Sequence, residues 1–254
     1  MIRLATLLVA LAALPVRAEE VVAGLSQNRV SITANFDGSE ILVFGAVKRE
    51  TKVPEDAPPL EVVIAIAGPS EPLIVRRKER VAGIWVNRRA VEVDAAPSFY
   101  KIATSGPLST VLSNVEDLRH RISLERVIRA VGAPADVEDA STFTEALMRI
   151  RKREELYQVR ENTVDVTEGT LFRTSVALPA NLRQGDYTVR IFLTRGGAVV
   201  DQHETALFVQ KVGLERFLYN LAYDRPLVYG LMSLAIAIAA GWLASAVFRY
   251  VRGS

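Results

Sequence analysis

The spacing of apolar residues changes several times along this chain, and each change predicts a different kind of element. After a short apolar run at 4–14, the stretch from 19 to 105 alternates apolar and polar positions and is rich in β-branched residues, as half-buried strands are. Residues 29–36 (RVSITANF), 40–47 (EILVFGAV) and 60–67 (LEVVIAIA) read as strands, with Asp37-Gly38 as a tight turn between the first two. Segments 81–86, 90–93 and 99–104 continue the series. Pro54, Pro58 and Pro59 mark a loop, because proline has no N–H to give to a ladder. Between 107 and 157 the spacing lengthens to three and four, as in Leu118 and Ile122, then Phe143, Leu147 and Ile150. This predicts two helices, 107–131 and 140–157, parted by Gly132-Ala133-Pro134. Alternation returns at 158–166, 171–178, 186–194 and 198–211, with a turn at Arg195-Gly196-Gly197 joining the last two. Gly185-Asp186-Tyr187, followed by Val189, Ile191 and Leu193, has the form of the closing hairpin of an immunoglobulin-like sandwich, in which a tyrosine braces a corner. The fold class expected is mainly β: an immunoglobulin-like β-sandwich, as one unit or two, with a helical insertion at about 107–157, plus one C-terminal transmembrane helix.

The two ends of the chain carry membrane signals. Residues 227–248 hold 22 positions without a charge, enough for about 33 Å of helix and one crossing. Tyr229, Trp242 and Tyr250 suit the interfaces of such a helix. The run at 4–14 is too short to span; with Arg3 before it and Val16 and Ala18 after it, it reads as a secretory signal peptide cleaved after Ala18. That leader orients the anchor: the N-terminal domain is expected in the periplasm and the last residues in the cytoplasm of a single-pass inner-membrane protein. The expected organisation is signal peptide 1–18, β-rich periplasmic domain 19–212, juxtamembrane segment 213–225, transmembrane helix 226–248 and cytoplasmic tail 249–254. Ser233, Ala237, Gly241 and Ser245 recur every four residues, so four small side chains form one stripe where a partner helix can approach. Residues 213–223 (GLERFLYNLAY) form an amphipathic segment that lies at the membrane surface, docks under the domain, or serves as a plain stalk.

Composition narrows the chemistry. Without the leader and its Arg3 and Arg17, 29 basic residues balance 29 acidic ones, which gives no whole-molecule attraction to nucleic acid. The absence of cysteine excludes disulfides, thiolate metal sites, a thiol nucleophile and a lipidated cysteine. His120 and His203 stand on different predicted elements without ligand spacing. Ser98, Ser105 and Ser109 lie in no nucleophile elbow, and the acidic pairs Glu116-Asp117 and Glu154-Glu155 are adjacent rather than facing. No glycine loop cradles a phosphate. The expectation is a non-enzymatic protein without cofactor, metal or catalytic residues.

One cluster stands out from the neutral background. Arg76, Arg77, Lys78, Arg80, Arg88 and Arg89 face a single acid, Glu79, and enclose Trp85 and Asn87. As a site it suits a small oxyanion, held by Arg76, Arg77 and Arg88, or anionic lipid head groups or an acidic partner. As an edge strand it is an ordinary charged guard against aggregation.

Several short runs carry a family resemblance: Val75-Arg76-Arg77-Lys78, Gly83-Ile84-Trp85-Val86-Asn87, Pro97-Ser98-Phe99-Tyr100, Leu178-Pro179-Ala180, Gly185-Asp186-Tyr187, Tyr229-Gly230 and Gly241-Trp242. Together they resemble the alphaproteobacterial putative transmembrane protein family over nearly the whole chain after the leader. The resemblance implies an inner-membrane protein with a periplasmic domain. It also implies an accessory role beside a polytopic permease of the sulfite-exporter type, and it brings no catalytic residue with it.

Overall fold

The structure, a computed structural model, describes residues 19–33, 38–49, 54, 56–129, 140–212 and 214–252. The expected leader, Asp37 of the first turn and the Gly132-Ala133-Pro134 separator of the two expected helices lie outside the described residues.

Two sheets carry most of the strands. In the first, β1 (Glu19–Leu25) pairs with β3 (Ser39–Arg49), followed by β10 (Leu171–Leu178) and the short β9 (Asp165–Thr167). The second runs β2 (Arg29–Ile32), β12 (Ala198–Lys211), β11 (Gly185–Arg195), β4 (Leu60–Ala67), β7 (Tyr100–Thr104) and β8 (Tyr157–Arg160). Strands β7 and β8 are parallel, whereas β4 is antiparallel to both β7 and β11. The period of two sorts each strand: in β10, Phe172, Thr174, Val176 and Leu178 are buried while their neighbours are exposed. Ile41, Val43, Val47 and Val176 supply the first sheet's buried side, and Val62, Ile64, Ile66, Val189, Ile191 and Leu193 supply the second's. Hydrogen bonds cross between the sheets, from Val21 N–H to Asp201 Oδ2 at 2.8 Å and from Lys101 Nζ to the Ala177 carbonyl at 3.2 Å. These two sheets form one sandwich, with Tyr187 bracing its corner: the buried side chain donates its hydroxyl to the Arg183 carbonyl at 2.8 Å.

Strand β4 is buried on both sides because the helical insertion covers the outer side of the second sheet. Tyr100 there donates to the Ile122 carbonyl at 2.7 Å, and Arg190 donates to the carbonyls of His120 and Arg121. The insertion departs from the expected single helix at 107–131. It consists of α1 (Leu108–Val111), α2 (Asn114–His120) and α3 (Leu124–Val127). Ser113 caps the start of α2, and Arg121 ends it in the left-handed region at φ 50°. The next helix, α4, stops at Arg153 (Ala140–Arg153), short of the expected 157, with Glu155 at φ 60°.

Other expected strands change too. The strands on either side of Asp37-Gly38 do not pair as a hairpin, because β2 lies in the second sheet and β3 in the first. Segment 81–86 is not one strand: it contains the tip of a hairpin, turning at Ala82 and Gly83 with positive φ between Val81 of one arm and residues 84–86 of the other. Its arms, β5 (Ser70–Val81) and β6 (Ile84–Pro97), form a two-stranded sheet of their own. The expected strand 158–166 divides into β8 and β9, which belong to different sheets, because Asn162 turns the chain at φ 57°.

The chain separates into two units, of which the second comprises residues 31–36 and 210–254. Its described part includes the helices α5 (Leu214–Asp224) and α6 (Pro226–Arg252). The span Pro226–Ser245 is long and apolar enough to cross a membrane, and none of it is buried against protein.

Candidate functional site

A two-stranded ribbon is marginal by itself and needs something to pack on. Here α4 supplies it: Phe143 is buried with Val91 of β6, and Val75 of β5 packs against the pair. Beyond this base almost every residue from Arg80 to Ala90 is exposed.

The ribbon sorts the predicted cationic cluster into two groups. Along β5 the side chains alternate, so Arg77 and Glu79 point to the side on which Val75 meets α4, while Arg76, Lys78 and Arg80 point to the other. On β6 a bulge leaves Arg88 unpaired between Arg89, opposite Arg77, and Asn87, opposite Lys78. Arg88 and Arg89 thereby join the side of Glu79, whose carboxylate lies 3.8 Å from Arg77, 4.0 Å from Arg88 and 3.3 Å from Arg89. Arg77 also stands over the Phe143 ring, 5.3 Å from its centroid.

The opposite side is mostly cationic, with Glu92, opposite Ile74, as the acid near its base. Arg76, Lys78 and Arg80 are exposed and, among the described residues, make no ion pair; Arg80 reaches only the Gly83 carbonyl at 3.5 Å. Trp85 pairs across from Arg80 and is 68% exposed, beside Ile84 at 65%. The expected oxyanion trio of Arg76, Arg77 and Arg88 therefore does not converge, because adjacent residues of a strand point to opposite sides. What the ribbon assembles instead is a cationic stripe with an aromatic end.

The other candidates separate as well. His120 lies edge-on to Phe192 and 3.3 Å from the Glu116 carboxylate, whereas His203 pairs with Ile191, on the other side of the same sheet. No group of three metal-ligating side chains forms among the described residues. Ser98 is buried beside Tyr187, Ser105 donates to the Glu61 carboxylate and Ser109 is exposed on α1. Asp117 is committed to capping the N–H groups of Ile122 and Ser123. On α6, Ser233, Ala237, Gly241 and Ser245 lie exposed along one stripe, and a Cβ added at Gly241 would meet nothing within 4 Å.

Comparison with known proteins completes the picture. The model of the alphaproteobacterial putative transmembrane protein family matches residues 20–250. The chain belongs to this family. Its match covers the strands of both sheets, the ribbon and nearly all of α6, so the family relationship embraces the β-rich part and the membrane helix together. No curated protein matches this member of the family. Among solved structures, the crystal structure of Spo0M, a sporulation control protein from Bacillus subtilis, matches with 11% identity and a TM-score of 0.28. That match covers 76% of this chain and 49% of the other, so the chain spans about half the length of Spo0M, and at this TM-score the likeness carries no argument.

The structure also separates Lys101, which follows the cationic cluster in the sequence, from that cluster. Lys101, on β7, is only 6% exposed and lines a cavity at one end of the sandwich. A lysine within the apolar run Phe99 to Ala103 is the signal in the sequence, but the residues around it come from β3, β8 and β10.

Proposed function

We propose that this protein is a membrane-anchored, non-enzymatic accessory protein that works by binding. In this reading the β-rich domain faces the periplasm, α6 crosses the inner membrane once, and the β5–β6 ribbon is the contact element, meeting anionic lipid head groups with Arg76, Lys78, Arg80 and Trp85. The observation that carries it is the segregation of charge on the ribbon: alternation and the bulge put three arginines with Glu79 on one side, and three cations and an exposed tryptophan, with Glu92 near the base, on the other. Cations near an anionic surface contribute about 1 kcal/mol each, and tryptophan suits the interface. A chain that already carries a membrane helix has such a surface at hand.

Trp85 and Trp242 are the two tryptophans of the chain, so Trp242→Phe leaves Trp85 as sole reporter. With the full chain in nanodiscs, Trp85 emission should shift to the blue and be quenched by brominated lipid when phosphatidylglycerol is present. Replacing Arg76, Lys78 and Arg80 by Glu should remove the shift. Identical emission in neutral and anionic discs would overturn the reading.

A second contact is favoured by the exposed small-residue stripe on α6. There the helix packs against a polytopic membrane partner, for which a permease of the sulfite-exporter type is the candidate implied by the family resemblance.

A further inference from the structure

The cavity beside Lys101 has a volume of about 520 Å³, within the range of small-ligand sites. Strand β7 places Lys101 on the side turned toward the first sheet, next to Gln158 of β8 in the parallel register. Its ammonium crosses to the Ala177 carbonyl of β10, which is its one hydrogen bond among the described residues. An ammonium has three donors, so two are left to face the pocket, although the residue as a whole is only 6% exposed. A neutral donor would make the bond to Ala177 without the cost of burying a charge.

The rest of the lining is as informative as the lysine. Glu40 and Glu155 stand at the rim, both exposed, and both act on the charge of Lys101. Lys101 thus shares the lining with two carboxylates, and Gln158 of β8 adds a neutral donor and acceptor. Arg160 also acts on Lys101, so the charges around the site are mixed, and an amine alone would leave the Lys101 donors unused.

The geometry points to a binding site for a small zwitterion, an amino acid or a dipeptide, whose carboxylate takes the free donors of Lys101 while its ammonium faces Glu40 and Glu155. Burial, with the nearby Arg160 adding to it, pushes the Lys101 ammonium below the usual lysine range. A bound carboxylate restores the stability of the charged form. The site is separate from the ribbon and does not depend on it.

The test is calorimetry of the full chain in detergent with L-alanine, L-lysine, L-glutamate and L-alanyl-L-alanine, against acetate, methylammonium and sulfate. At least one zwitterion is expected to bind about tenfold tighter than acetate, and Lys101→Met should weaken it by about tenfold or more. Glu155 is exposed, so Glu155→Gln retains the fold and should weaken the same ligand by about fivefold even where Lys101→Met does not fold. Silence of all four zwitterions up to about 10 mM, tighter binding of sulfate, or unchanged binding in both variants would overturn the site.

Discussion

The guanidinium of Arg77 stands 5.3 Å from the centroid of the Phe143 ring, joining the ribbon to the helix that supports it. Phe143 is also the buried apolar residue beneath Val75 and Val91, so one side chain holds both the packing and the cation at the ribbon base. Replacing it by alanine removes both. Phe143→Ala should cost about 3–5 kcal/mol, read as a lower urea midpoint, and should increase hydrogen exchange in β5 and β6 first.

Glu19 gives a second prediction, on pH. Its carboxylate is 6% exposed and receives both Nε and Nη2 of Arg195, at 2.9 and 2.7 Å, together with Nε of Arg49 at 2.7 Å. The Arg195 hydrogen bonds, opposed by burial and assisted by Arg49, hold this carboxyl below the usual carboxylate value of 4.5. Because its folded value is the lower one, its contribution is present above 4.5 and is lost as pH falls through the depressed value. Glu19→Ala should therefore cost about 3 kcal/mol at neutral pH, with a difference from wild type that shrinks on acidification below about 4.5. Urea midpoints measured from pH 7 down to about pH 3 check both the size and the sign.

The corner at Tyr187 is a third. Burial pushes its phenol up to about 12, while its hydroxyl is used in the bond to Arg183. Tyr187→Phe keeps the ring and removes that bond, leaving the carbonyl unpaired. A loss of about 1–2 kcal/mol in thermal or urea unfolding is expected, with the far-ultraviolet spectrum unchanged.

The stripe on α6 supplies a fourth. Gly241→Leu places a large side chain where four small ones are aligned. Co-purification of a polytopic partner from native membranes should then fall by about fivefold, the equivalent of roughly 1 kcal/mol, with the protein itself still inserted. Undiminished recovery would remove the stripe from the contact.

Local rules carried much of this protein. Strands 60–67, 171–178 and 198–211 have the bounds that alternation predicts, and the brace at Tyr187 could be read from Gly185-Asp186-Tyr187 followed by alternating apolar residues. The membrane helix was legible for the same reason: an uncharged run is a property of consecutive residues. The errors fell where two elements share one apolar spacing. The hairpin tip at Ala82-Gly83 has Val81 and Ile84 on either side and reads as a continuous strand, and the short helices α1 to α3 read as one because a cap such as Ser113 interrupts the helix without interrupting its apolar residues.

The site depended on what lies beyond such neighbourhoods. The sequence by itself determined that six cations and one acid cluster between residues 76 and 89, and that a lysine interrupts an apolar run at 101. Only the tertiary structure decided that Glu79 gathers Arg77, Arg88 and Arg89 while Arg76, Lys78 and Arg80 face the other way, since that division depends on the register and bulge of β5 against β6. Likewise, only the pairing of distant strands brought Glu40, Glu155 and Ala177 around Lys101. Periodicity sorts side chains to one side or the other of an element; what meets them there is set by which elements pack together, and that is a property of the whole chain.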